Sequence, residues 1–129
     1  MKELTVGLSG RAEGIATEEN TAFAMGSGSL RVFATPALTA LMEAAACAAL
    51  EGVLAEEQTS VGTALDLKHT AATPAGMRVW AEAELTGIDR RALSFRIVAY
   101  DEAGEIGTAE HTRFLVDAKK FQQKADAKK

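Results

Sequence analysis

One change of hydrophobic period constrains this chain more than any other feature. From Val32 to Leu50 the sequence is apolar and alanine-rich, and Leu38, Leu41, Met42, Ala45, Ala49 and Leu50 recur at helical spacing. Thr35-Pro36 reads as the helix start, with Thr35 as N-cap and Pro36 at the first helical position. The helix is expected to run through LTALMEAAACAALEGVL, with Gly52 near its end. Beyond the polar break EEQTS the period falls to two. Val61, Thr63, Leu65, Leu67 and His69 fall on one face of a strand, and Gly62, Ala64, Asp66 and Lys68 on the other. Met77, Val79, Ala81, Ala83 and Leu85 alternate in a second strand. Leu93, Phe95, Ile97 and Ala99 alternate in a third, and a fourth runs from about Ile106 to Val116.

The separators ATPAG, GIDRR and DEAGE are short, which points to antiparallel neighbours in a four-strand meander. A further strand is expected around Leu4–Leu8. Because the helix is apolar nearly all round, it should be gripped by the sheet rather than lie on a surface. The expected class is α+β: a hotdog fold, with a curved antiparallel sheet of about five strands wrapped around one long central helix. With 129 residues the chain is read as one domain. Residues 10–31, rich in Gly, Ser, Thr and Glu, are read as a flexible lid region, and 119–129 as a basic, solvated C-terminal tail.

Composition excludes several functions. A net charge of −4 and 5% aromatic residues argue against a nucleic-acid platform. The single cysteine, Cys47, excludes an internal disulfide and a Cys-rich zinc site. It reads as a small buried hydrophobe on the helix. Glu43 interrupts the one long weakly charged stretch, so no membrane span is expected. The N-terminus carries no signal-like apolar run, and with a free cysteine this leads to a cytosolic assignment. No GxGxxG, phosphate loop, HExxH or GxSxG motif is present.

Glu43 is the most informative charge. A lone carboxylate inside an apolar helix is costly unless paired or protonated, which suits nucleophilic or general-base work with a raised pKa. A helix side facing water or a subunit contact explains it equally well. His69 continues the inward face of its strand toward the Glu43 helix, and a neutral imidazole there can act as acid or base. Thr35 lies eight residues before Glu43, about 12 Å along a helix axis, so the two could line opposite ends of one pocket. Arg113 and His111 share a strand face with Ala109 and Leu115, and an inward Arg needs an anionic partner or a polar cleft. Gly62 permits close backbone approach.

Three segments carry a resemblance: VFATPALTALMEAAACAALE, TSVGTALDLKHTAATPAGMRVWAEAEL and EIGTAEHTRF. Over about residues 30 to 121 the chain resembles the fluoroacetyl-CoA thioesterase family of hotdog-fold proteins. The resemblance implies hydrolysis of acyl-CoA thioesters by a Thr, Glu and His constellation, here Thr35, Glu43 and His69. It implies substrate contacts from the Gly62 amide and from Arg113, with Phe33 of the FAT segment as a further substrate-binding residue. It implies no metal or organic cofactor beyond the CoA of the substrate, and a homodimer with pockets at the interface. The sequence departs from the family where GSGSLRV replaces an aromatic, proline-rich lid, with Ser29 near the position of the lid aromatic. A general short-chain hydrolase is therefore expected, with weak discrimination for fluorine. The alternative is a non-catalytic acyl-CoA or small-acid binding module. Arg31, Arg90, Arg91 and the C-terminal lysines are the candidate cations for the CoA phosphates.

Overall fold

The computed structural model describes residues 2–129. One antiparallel sheet contains five strands: β1 (Ser9–Ile15), β2 (Gln58–His69), β3 (Arg78–Asp89), β4 (Ala92–Asp101) and β5 (Gly104–Asp117). A 3-10 turn at Glu18–Asn20, a four-residue helix α1 (Ala22–Met25), the long helix α2 (Thr35–Ala49) and a C-terminal α3 (Ala118–Asp126) complete the described elements. The first strand lies at Ser9–Ile15, not Leu4–Leu8, so part of the stretch read as lid is sheet.

The strand order is β1-β3-β4-β5-β2. This corrects the four-strand meander. β3, β4 and β5 are consecutive neighbours, but β2 pairs with β5 and leaves its other edge free. The link from β2 to β3, residues 70–77, carries the chain past two strands. Eight residues reach at most about 27 Å when extended, ample across a curled sheet. Local turn signals cannot distinguish that crossing from a hairpin.

Alternation in β3 and β4 follows the sequence. Val79, Ala81, Ala83 and Leu85, then Leu93, Phe95, Ile97 and Ala99, are all buried. They meet Leu38, Met42, Ala45, Ala46 and Ala49 of α2. Burying one side chain of the size of Leu38 or Met42 contributes about 1.5–3 kcal/mol. In β2 the alternation slips. A bulge between Gly62 and Ala64 shifts the register against β5. An extra residue flips every side chain before it to the other face. Gly62 therefore lies opposite the inward Arg113, while Leu65, Leu67 and His69 keep the inward face beyond the bulge. The outward placement expected for Gly62 is overturned for this reason.

Helix α2 also differs in its details. Its N-cap is Ala34, without a side-chain cap, and Thr35 is already helical. The helix stops at Ala49, shortly before Gly52 at φ 73°. The sheet covers one face only. Pro36, Ala40, Ala44 and Cys47 are exposed on the other. Cys47 is thus not the buried hydrophobe expected, because it projects away from the sheet. Helix α3 carries the tail lysines into solvent, as the charge pattern indicates. No described helix is long and apolar enough to cross a membrane.

Candidate active site

Two polar groups flank α2, one at its start and one at its middle. At the start, the chain entering the helix is pinned by two backbone bonds, Phe33 N to Thr73 O at 2.8 Å and Ala34 N to Asn20 O at 2.9 Å. Because Ala34 takes the N-cap position, the Thr35 hydroxyl is free for another partner. It meets Nδ1 of His69, the last residue of β2, at 2.8 Å. The His69 Nε2 is buried and has no hydrogen-bond partner among the described residues. Burial pushes the His69 pKa below its ordinary 6.5, because desolvation disfavours the cation. Beside this pair lies a cavity of about 270 Å³ lined by Ala22, Ser27, Val32, Phe33, Thr35 and His69, with the following turn.

At the middle of the helix stands Glu43. It is not an isolated buried carboxylate: its side chain is 41% exposed, and Oε2 lies 3.4 Å from Nη1 of Arg113. Arg113 is the buried partner, 6% exposed. Its Nε donates to the Ser60 hydroxyl at 2.8 Å and its Nη2 to the Ser60 carbonyl at 3.1 Å. Gly62 makes this group possible. A Cβ there would run into Glu43 Oε2 and approach His111 Cε1 to 3.2 Å and Arg113 Nη1 to 3.3 Å.

The structure therefore brings Thr35 to His69, and Glu43 to Gly62 and Arg113. Within one chain the two groups are separated by eight helical residues, about 12 Å. Phe33 is 3% exposed and walls the Thr35–His69 cavity. Sequence reasoning did not include Ser60 in the site. Alternation counted from Leu65 and Leu67 sets Ser60 on the outward face with Gly62, and only the bulge between Gly62 and Ala64 turns it toward Arg113, so no signal in the residues pointed to it. Among the candidate phosphate cations, Arg31 sits on the lid segment, paired with Glu18 at 3.3 Å and lying over Phe23 at 5.0 Å. Arg90 and Arg91 line a different surface cavity with Phe114.

The histidines make folding stability sensitive to pH. His111 also has a pKa below its ordinary 6.5, first through burial. The unfolded chain therefore holds more protons than the folded one just below 6.5. Their contribution is fully present above pH 6.5 and is lost as the pH falls through 6.5 toward the folded values. The thermal midpoint, measured from pH 7.5 to 5.5, should fall on acidification. A flat profile would contradict the burial of both rings. Glu13, whose carboxyl is held low by hydrogen bonds from Arg11, acts only below 4.5 and does not enter this window.

The chain is similar to several known proteins. A family model described as fluoroacetyl-CoA-specific thioesterase matches residues 16–119. The fluoroacetyl-CoA thioesterase of Streptantibioticus cattleyicolor is 41% identical over 97 residues, covering 75% of this chain and 70% of that protein. A crystal structure of a variant of the fluoroacetyl-CoA-specific thioesterase FlK superposes with a TM-score of 0.91 at 32% identity, over 100% of both chains. A hot-dog-like protein from Thermanaerovibrio acidaminovorans shares the fold at a TM-score of 0.86 and 18% identity, over 97% of this chain and 93% of that one.

Proposed function

The chain belongs to the fluoroacetyl-CoA-specific thioesterase family and is a thioester hydrolase, and from that premise we propose that it cleaves short-chain acyl-CoA thioesters to the free acid and CoA. The observation that carries the site assignment is the Thr35–His69 pair, whose imidazole lines the cavity and whose buried Nε2 has no partner among the described residues, while Glu43 stands further along the same helix. Glu43 either activates the water that attacks the thioester carbonyl, or attacks it directly to form a mixed anhydride that water then hydrolyses to the free acid and the restored carboxylate. The carbon–sulfur bond breaks as the new carbon–oxygen bond forms. With the Thr35 hydroxyl donating to Nδ1, the His69 Nε2 carries a proton and delivers it to the departing CoA sulfur. The Gly62 backbone and Arg113 hold the acyl end and the developing negative charge. These residues need no metal or organic cofactor, and CoA enters as part of the substrate.

A thioester carbonyl cannot touch two groups about 12 Å apart. The free outer edge of β2 and the exposed small-residue face of α2 support a homodimer that joins them. Pairing two such edges about a two-fold axis makes the helices antiparallel, so the start of one approaches the middle of its partner. Thr35 and His69 of one protomer would then work with Glu43 and Arg113 of the other. Mixing refolded Glu43→Ala and His69→Ala proteins, each inactive alone, should restore about a quarter of wild-type activity, since half the dimers are mixed and each has one intact site. No recovery would remove the shared site.

The lining of the Thr35–His69 cavity contains one aromatic, Phe33, and Phe23 of the lid segment is 56% exposed. This supports weak discrimination between acetyl and fluoroacetyl groups. Thiol release from a panel of acyl-CoAs tests the whole reading. Turnover of acetyl-CoA, with fluoroacetyl-CoA preferred by less than about tenfold in kcat/KM, is expected. Saturable binding without turnover would favour a binding module instead. We assign the protein to the cytosol; the free thiol of Cys47, exposed on α2, suits a reducing compartment.

A further inference from the structure

The mechanism above leaves one buried titratable side chain unused. His111 on β5 is 2% exposed, two residues from Arg113. Its Nδ1 lies 2.7 Å from the carbonyl oxygen of Ala64, at the edge of the β2 bulge. A carbonyl only accepts, so Nδ1 carries the proton. Its Nε2 lies 3.2 Å from Nη1 of Arg113, the same nitrogen that faces Glu43. A guanidinium only donates, so Nε2 must be the bare acceptor. Both contacts are satisfied by one species, the neutral imidazole protonated at Nδ1.

We propose that His111 is a positioning residue: its Nδ1-protonated neutral ring ties the β2 bulge to Arg113 and so aims the guanidinium at Glu43. Four of the five N–H groups of Arg113 then have acceptors: the hydroxyl and carbonyl of Ser60, Nε2 of His111 and the Glu43 carboxylate. The bulge that carries Gly62 is held on the same ring. Protonation of Nε2 would put a second cation against Arg113 and release the tie. The charged groups facing the ring are Arg113 from its own strand and Glu43 from α2, while β4 offers Phe95, its ring centre 6.1 Å away.

The role in turnover rests on the thioesterase reading; the ring's protonation does not. Two tests separate them. The protein has two histidines, so a side-chain nitrogen–proton correlation spectrum of the labelled wild type is readily assigned. One ring should show a protonated Nδ1 and bare Nε2 at pH 7, in both its free and substrate-bound states. A protonated Nε2 on His111 overturns the proposal, whatever the enzyme's activity. The second test compares two variants. In His111→Asn the amide still donates to Ala64 but offers nothing to Arg113, whereas in His111→Gln the carbonyl reaches the place of Nε2. The Asn variant should lose about tenfold in kcat for acetyl-CoA with KM little changed, and the Gln variant should recover to within about threefold of wild type. Equal loss in both, or loss in neither, overturns the positioning role. A wild type that turns over no acyl-CoA of the panel removes the thioesterase reading and leaves the spectrum to decide the contact.

Discussion

Glu43→Gln should lower kcat for acetyl-CoA by about 10²–10⁴-fold, the range expected when a carboxylate acting as base is removed. The substitution keeps the shape of the side chain and an oxygen that can still accept from Arg113. What it removes is the negative charge that, in the proposed mechanism, attacks the carbonyl or takes a proton from water. Fold stability should change little, because the Glu43 side chain is 41% exposed and Arg113 keeps both bonds to Ser60. Arg113 is buried, so this is not a surface pair, but the retained amide oxygen and the two Ser60 acceptors should hold the cost of losing the counter-charge to about 1 kcal/mol. The measurement is kcat and KM with thermal midpoint on the same preparation. Wild-type turnover in a folded Glu43→Gln protein would remove Glu43 from the chemistry. A loss of turnover matched by a large fall in midpoint would instead give Glu43 a structural role.

The second large effect is on folding. Gly10 of β1 touches the backbone of α2 directly. A Cβ at Gly10 would run into the Ala49 amide nitrogen, come within 2.5 Å of the Ala45 oxygen and within 2.7 Å of the Ala48 carbonyl carbon. Backbone atoms of a helix cannot rotate away as a side chain can. Gly10→Ala must therefore push α2 off β1. Overpacking of this kind costs about 3 kcal/mol at the upper end of its usual range. For a chain of this size that is a fall of about 10 °C in thermal midpoint. Gly14, on the same strand, is the control. A Cβ there meets Val79 Cγ2 at 3.7 Å and Leu41 Cδ1 at 3.8 Å, ordinary contact. Gly14→Ala should melt near the wild type. Equal midpoints for the two variants would show that β1 does not pack as closely on α2 as described. Because α2 carries both Thr35 and Glu43, a shifted helix should also cost turnover.

Much of this architecture was legible in the residues. The period change at the end of α2 separated helix from sheet, and the alternation in β3 and β4 predicted their buried faces residue by residue. Three things were not legible, each for a physical reason. The bulge at Gly62 adds a residue without any composition signal, so Gly62 was set on the outward face. The pairing of β2 with β5 is a long-range choice that the turn residues at 70–77 do not encode. Thr35 carries the side chain of an N-cap, but Ala34 takes that position, and the hydroxyl goes to His69 instead. For the site, a charge inside an apolar run pointed to Glu43, and an inward arginine pointed to Arg113. Their contact with each other was not readable, because it depends on the bulge. Nor was the separation of the site into two groups, which depends on where β2 ends.

The lid segment leaves the sheet after β1 and returns to α2 with its ends fastened together. Thr21 and Phe33 form a bridge, Ala22 N bonds Val32 O at 2.8 Å, and Phe23 N bonds Leu30 O at 2.9 Å. A loop closed at its own neck is an exchangeable part. Residues 24–29 can be replaced or lengthened to reshape what the cavity admits, while the neck bonds keep Thr35 and His69 in register. If the proposed site is right, substrate range and chemistry are separable by design, and new acyl groups can be sought by grafting that short span alone.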